Sequence, residues 1–176
     1  MSILGETTKI KELLNVSPQE TAVAPNLTVR ENLEFIAGIY GMQNPRERAA
    51  QEMKSMKLTE VAKRKAKTLS GGWQRRLSIA MALITEPKLL FLDEATLGLD
   101  IIARRELWKV VKELKSRTTV ILTTHYLEEA ESLSDRIGIM AHGSLAACGT
   151  VSELMQKAGA DNFENAFVTL AGGGKI

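Results

Sequence analysis

The chain has 176 residues, 44% hydrophobic and 25% charged, with a formal net charge of +2. That is ordinary globular composition, and it argues against a strongly basic nucleic-acid binder or an acidic solvating tail. The single cysteine, Cys148, excludes an internal disulfide framework. No apolar run approaches the roughly 18 residues that cross a bilayer, and the opening MSILGETTKIK lacks the apolar core of a secretion signal.

Met1 to Ala24 reads as short and turn-rich, with Pro18 and Pro25 bracketing an exposed loop. Thr28-Val29-Arg30-Glu31 fits a capping box, and Val29, Leu33, Ile36 and Tyr40 follow at helical spacing. Asn44-Pro45 reads as the start of a second helix running to about Lys57. A third is expected from near Ser70 to before Pro87, with Trp73, Leu77, Ala80, Met81 and Ile84 on one side. Lys88 to Leu92 reads as a strand buried on both faces and ends in Asp93-Glu94. A helix through Leu107, Val110, Val111 and Leu114 follows. Next come a strand from Thr119 to Thr124 ending in His125, a helix over about Leu127–Ser134, and strands at Arg136–Met140 and Leu145–Cys148. The order predicts an α/β fold with a mostly parallel sheet. Cys148 is expected to be buried, Met53, Met56 and Met81 to be core, and the residues after about Asp161 carry only weak patterning.

Three places carry chemistry. Asp93-Glu94 and His125 each close an apolar strand, where α/β sheets bind ligands. One carboxylate of such a pair can hold Mg²⁺ and the other can orient or deprotonate water. Asp93-Glu94 could also be a helix cap, and His125 a cap or a satisfied core histidine. In Leu69-Ser70-Gly71-Gly72-Trp73-Gln74, two glycines at a helix start expose backbone N–H groups at the positive end of the dipole. The alternative there is a plain Ser cap with a tight turn. The basic run Lys63-Arg64-Lys65-Ala66-Lys67 lacks interleaved aromatics and reads as a solvated face, so no nucleic acid is expected as a partner.

Four ordered stretches closely resemble the nucleotide-binding domain of ATP-binding cassette (ABC) ATPases: Leu69 to Gln74, Leu89 to Thr96 (LLFLDEAT), Gly98-Leu99-Asp100, and Thr123-Thr124-His125. The resemblance implies a partial P-loop NTPase (RecA-like) parallel sheet core with an inserted α-helical subdomain. It implies that Ser70, Gly71 and Gly72, with Gln74, form the signature that contacts ATP held by an opposing subunit. Asp93 would be the Walker B carboxylate near Mg²⁺ and Glu94 the catalytic base. His125 would contact the γ-phosphate. Leu97 to Asp100 would cross a dimer interface. Gln19 would be the Q-loop residue that reaches the metal and couples to a transport subunit. On this reading residues 1–25 are a remnant of the β subdomain and Q-loop, and residues 26–86 the helical subdomain. Residues 87–160 are the α/β core and 161–176 a tail, all within one truncated domain.

Ala95 stands where the family usually has Pro, and Trp73 where Gln or Met is common. The larger departure is that no phosphate loop, G-x-x-x-x-G-K-S/T, occurs. The only Gly-Lys pair, Gly174-Lys175, is followed directly by Ile176. Met1 to Lys11 resembles the antiparallel β part just before the Q-loop. The expectation is a cassette without its first strands and phosphate loop, in which the Walker B strand lacks a sheet neighbour. The resemblance implies an ATP-hydrolysing subunit on the inner, cytoplasmic face of the cell membrane, with ATP and Mg²⁺. Its expected partners are a permease and a second ATP-binding subunit. Asn26 to Leu33 and Phe163 to Phe167 resemble drug and lipid exporters. The alternative is a non-catalytic module lending its signature to an intact ATPase.

Overall fold

The computed structural model describes residues 5–172. Gly174-Lys175 and the first residues of Met1–Lys11 lie outside the described residues. The chain divides into two compact units at Thr123/Thr124.

The first unit opens with helix α1 (Thr7–Leu13), which leads directly into strand β1 (Leu14–Ser17). Helices α2 (Val29–Ile39) and α3 (Pro45–Ser55) follow. Helix α4 (Gly71–Leu83), strand β2 (Leu89–Asp93), helix α5 (Ile101–Leu114) and strand β3 (Thr119–Thr123) complete it. The sheet order is β1-β2-β3, all parallel, with Ser17 opposite Leu92 and Asp93 opposite Thr123. This corrects the expectation of a Walker B strand without a neighbour. β2 is the central strand, because Leu14-Asn15-Val16-Ser17 supplies the ladder on one side and Thr119–Thr123 on the other. The start of the chain also differs from an antiparallel β remnant, since Thr7–Leu13 is helical.

β2 alternates as a strand must. Leu90 and Leu92 are fully buried, while Leu89, Phe91 and Asp93 are half-buried. The opposite face stays more open than expected, with exposed Val16 and Ile121 flanking Phe91 in one row across the three strands.

Thr28 caps α2 through the predicted box, accepting from Glu31 N at 3.2 Å while Glu31 Oε2 accepts from Thr28 N at 2.7 Å. α4 is buried almost all round rather than on one stripe, since it packs against α2, α5, β1 and β2. Arg75, Arg76 and Ser78 are therefore inside with Leu77 and Ile79, and Met81 is only half-buried. Met53 and Met56 are core, as expected. Across the unit, buried Glu52 of α3 accepts from Arg117 Nη2 at 2.7 Å, tying the helical layer to the loop before β3.

The second unit contains helix α6 (Leu127–Leu133), the antiparallel hairpin β4 (Ile137–Ala141) and β5 (Ser144–Gly149), and helices α7 (Val151–Ala158) and α8 (Phe163–Leu170). Ile137, Ile139, Ala147, Leu154, Phe163 and Ala166 form its own core. β4 and β5 pair with each other in a two-stranded sheet, which corrects the expectation that the strands of residues 87–160 share one mostly parallel sheet. The tail is corrected too: Asn162 caps α8, and Phe163 and Ala166 are buried. Cys148 is exposed, not buried, because only one face of the two-stranded hairpin is covered and Cys148 alternates with buried Ala147 and Gly149.

Candidate nucleotide site

The end of β2 is held from the neighbouring strand. Asp93 closes the strand, and its Oδ1 accepts a hydrogen bond from the Thr123 hydroxyl at 2.5 Å. Glu94 then turns the chain with φ of 46°, a left-handed conformation that a residue with a Cβ rarely adopts. Its N–H is held by both Thr123 O at 3.1 Å and Thr123 Oγ1 at 3.2 Å. Strained backbone of this kind costs about 1–3 kcal/mol and is retained where the surroundings enforce it. Here Thr123 on the neighbouring strand enforces it, so Asp93 and Glu94 leave the strand with half-buried carboxylates.

The segment after Glu94 is a pair of turns, Leu97 N to Glu94 O and Leu99 N to Thr96 O, with Gly98 at positive φ. Asp100 ends it as the cap of α5, its Oδ1 accepting from Ile102 N and Ala103 N at 2.9 Å each. The helix-cap reading therefore belongs to Asp100 rather than to Asp93-Glu94.

Ser70 precedes α4 in extended backbone, yet its side chain makes no cap hydrogen bond. The plain-cap alternative for Ser70 fails on that point. Gly71 and Gly72 differ in what surrounds them. A Cβ on Gly72 would stand 2.9 Å from Ala103 Cβ, whereas one on Gly71 would meet only Leu99 Cδ2 at 3.7 Å. Gln74 turns its amide inward, and Nε2 donates to Ala66 O at 3.1 Å and Leu69 O at 3.3 Å. It braces the loop that delivers the glycines.

Gln19 is exposed on the loop after β1. Its backbone carbonyl accepts from Arg75 Nη1 at 3.2 Å. Thus Gln19, Ser70, Gly71, Gly72, Gln74, Asp93, Glu94 and Asp100 all belong to the first unit. His125 belongs to the second, exposed and with its ring 4.1 Å from that of Tyr126.

Sequence reading missed two contributors. Thr123, read only as part of the stretch ending in His125, holds both acidic residues, and no sequence signal marked its register opposite Asp93. Arg75 links the Gln19 loop to the β2 end, and only its adjacency to Gln74 marked it.

Among the described residues no group of three or more His, Cys, Asp or Glu could hold a metal ion. One carboxylate at a strand end instead suits a Mg²⁺ completed by phosphate and water oxygens. Among the described residues no helix is long and apolar enough to cross a membrane.

A three-stranded parallel sheet with acidic residues at the end of its central strand, packed against a helix opened by Gly71-Gly72, defines an α/β fold. The ABC transporter family model matches residues 3–97, and the chain belongs to that family. Linearmycin resistance ATP-binding protein LnrL of Bacillus subtilis is 43% identical over 159 residues, covering 89% of this chain and 51% of that protein. Daunorubicin/doxorubicin resistance ATP-binding protein DrrA of Streptomyces peucetius is 40% identical, covering 90% and 49%. Human phospholipid-transporting ATPase ABCA3 is 42% identical over 90% of this chain and 9% of its own length. The chain thus spans about half the length of the two bacterial relatives. A solved ATP-binding subunit of an ABC transporter superposes with a TM-score of 0.79 at 24% identity, over 97% of this chain and 73% of that one.

Proposed function

We propose that this chain is the hydrolytic part of an ABC exporter subunit, working with a separate permease and a second ATP-binding subunit at the inner face of the cell membrane. The observation that carries the reading is the Thr123-enforced turn at Asp93-Glu94, which projects two carboxylates from the central strand. Asp93, with Gln19, would hold Mg²⁺, which supplies charge compensation to the phosphates when bound. Glu94 accepts the proton of the attacking water. Ser70, Gly71 and Gly72 donate to the γ-phosphate of ATP bound on the opposing subunit, braced by Gln74. Leu97 to Asp100 lie along that interface, and His125 contacts the γ-phosphate. The names of the relatives, two for drug resistance and one for phospholipid transport, support export as the direction.

These 176 residues contain no phosphate loop, so we propose that the phosphate grip comes from outside them and that they are inactive by themselves. The test supplies a phosphate loop in the assembly and compares the native chain with Glu94→Gln. The variant is expected to bind ATP and to hydrolyse it roughly 10²-fold more slowly or worse. Near-normal turnover removes Glu94 from the role of base.

A further inference from the structure

Arg75 lies one turn into α4 and is 4% exposed. Its guanidinium reaches four backbone carbonyls in two separate loops. Nη1 donates to Pro18 O at 2.5 Å and to Gln19 O at 3.2 Å. Nη2 donates to Asp93 O at 2.6 Å, and Nε to Ala95 O at 2.9 Å. Pro18 ends β1, because it has no N–H for the ladder. The carbonyls of Pro18 and Gln19 lie beyond the end of the ladder, and Arg75 donates to both. The same holds on the other side, where Glu94 turns out of β2 and the carbonyls of Asp93 and Ala95 face the guanidinium. A guanidinium is a rigid planar fork, so its donors hold both loops in one fixed relation.

We propose that Arg75 is a positioning residue. It locks the Pro18–Gln19 loop and the Asp93–Ala95 turn into one register and carries displacement of the α4 N-terminus, where Ser70, Gly71 and Gly72 sit, to both. Its consequence for ATP hydrolysis rests on the reading of Gln19, Asp93 and Glu94 as nucleotide-facing groups; the tie itself does not. Four carbonyls on one fork make the two loops move together.

The test reads backbone amide signals of the ¹⁵N-labelled full chain. Pro18→Ala perturbs one loop at its start. In the native background it is expected to shift the amides of Glu94, Ala95 and Thr96. In Arg75→Ala and Arg75→Lys backgrounds that remote shift is expected to fall by about threefold or more, as coupled sites uncouple. Lys keeps the charge but offers a single point of contact, so it is not expected to rescue. Where Arg75→Ala fails to fold, Arg75→Lys gives the reading. The native chain provides an independent measure: the Arg75 Nε–H signal should exchange slowly and move in Pro18→Ala. An undiminished remote shift without Arg75 overturns the tie, as does an Nε–H that exchanges as fast as an exposed arginine. ATP binding in the assembly that supplies a phosphate loop is scored separately. Its absence for the native chain overturns the nucleotide reading and leaves the tie standing.

Discussion

At the scale of single residues, Gly71 and Gly72 show how one motif divides its duties. Both read as openings for backbone donors, yet only Gly72 is required by packing. Its missing Cβ lets α4 approach Ala103 at the start of α5. Gly72→Ala is expected to destabilise the fold by about 1–3 kcal/mol through overpacking, and Ala103→Gly in the same chain to recover much of it. Gly71→Ala should leave stability nearly unchanged, since its Cβ would sit at ordinary contact distance. Urea melts of the three variants check this. An equal loss from both glycines would place the strain elsewhere. Glu94 carries a different constraint. Its left-handed backbone was not legible in Asp93-Glu94-Ala95, because it depends on two acceptors from Thr123, a residue 29 positions away.

At the scale of elements, helix starts were legible wherever the cap is local. Thr28 and Glu31 lie three residues apart, and the predicted box is present. Its N–H and hydroxyl both donate to the Glu31 carboxylate, which holds that carboxyl below its ordinary 4.5. A carboxylate with a lowered folded-state pKa contributes stability that is full above the unfolded value and lost as pH falls through the folded one. The chain should therefore lose part of its α2 stability in acid, below about pH 4.5. Glu31→Gln should abolish that part. Denaturant midpoints of both chains across the acid range check it, and parallel curves would mean that the box holds no charge-dependent stability. The same pattern stood unread at Thr150-Val151-Ser152-Glu153, which opens α7 with an identical box. Helix α4 was placed correctly, but its burial was not. Buried arginines look like surface residues until the carbonyls and Glu106 that receive them are known.

At the scale of the whole molecule, the chain has an acidic strand end and a Gly-Gly helix start, belongs to the ABC transporter family, and spans about half the length of its bacterial relatives. The proposed ATP site is shared between subunits, so its signature face is tested by assembly. Ser70→Arg should prevent ATP-driven association with an ATP-holding partner by steric clash, while leaving the melting curve close to native because Ser70 is exposed and makes no cap bond. Light scattering with and without ATP reads the outcome. Association that survives the substitution removes Ser70, Gly71 and Gly72 from the interface.

The amino-acid order alone determined the α/β class, the sequence of most elements and the family. Each of those follows from local periodicity, local caps and motifs contiguous in the chain. Tertiary structure decided the rest. Leu14 to Ser17 became the neighbour of β2 because parallel pairing joins segments 75 residues apart in register, as at Leu14 and Leu89. Residues from Thr124 onward gathered a core of their own because Ile137, Leu154 and Phe163 bury one another. Arg75 and Thr123 took their places because long-range backbone carbonyls and a strand register, invisible in sequence spacing, supply the partners that fix a buried donor.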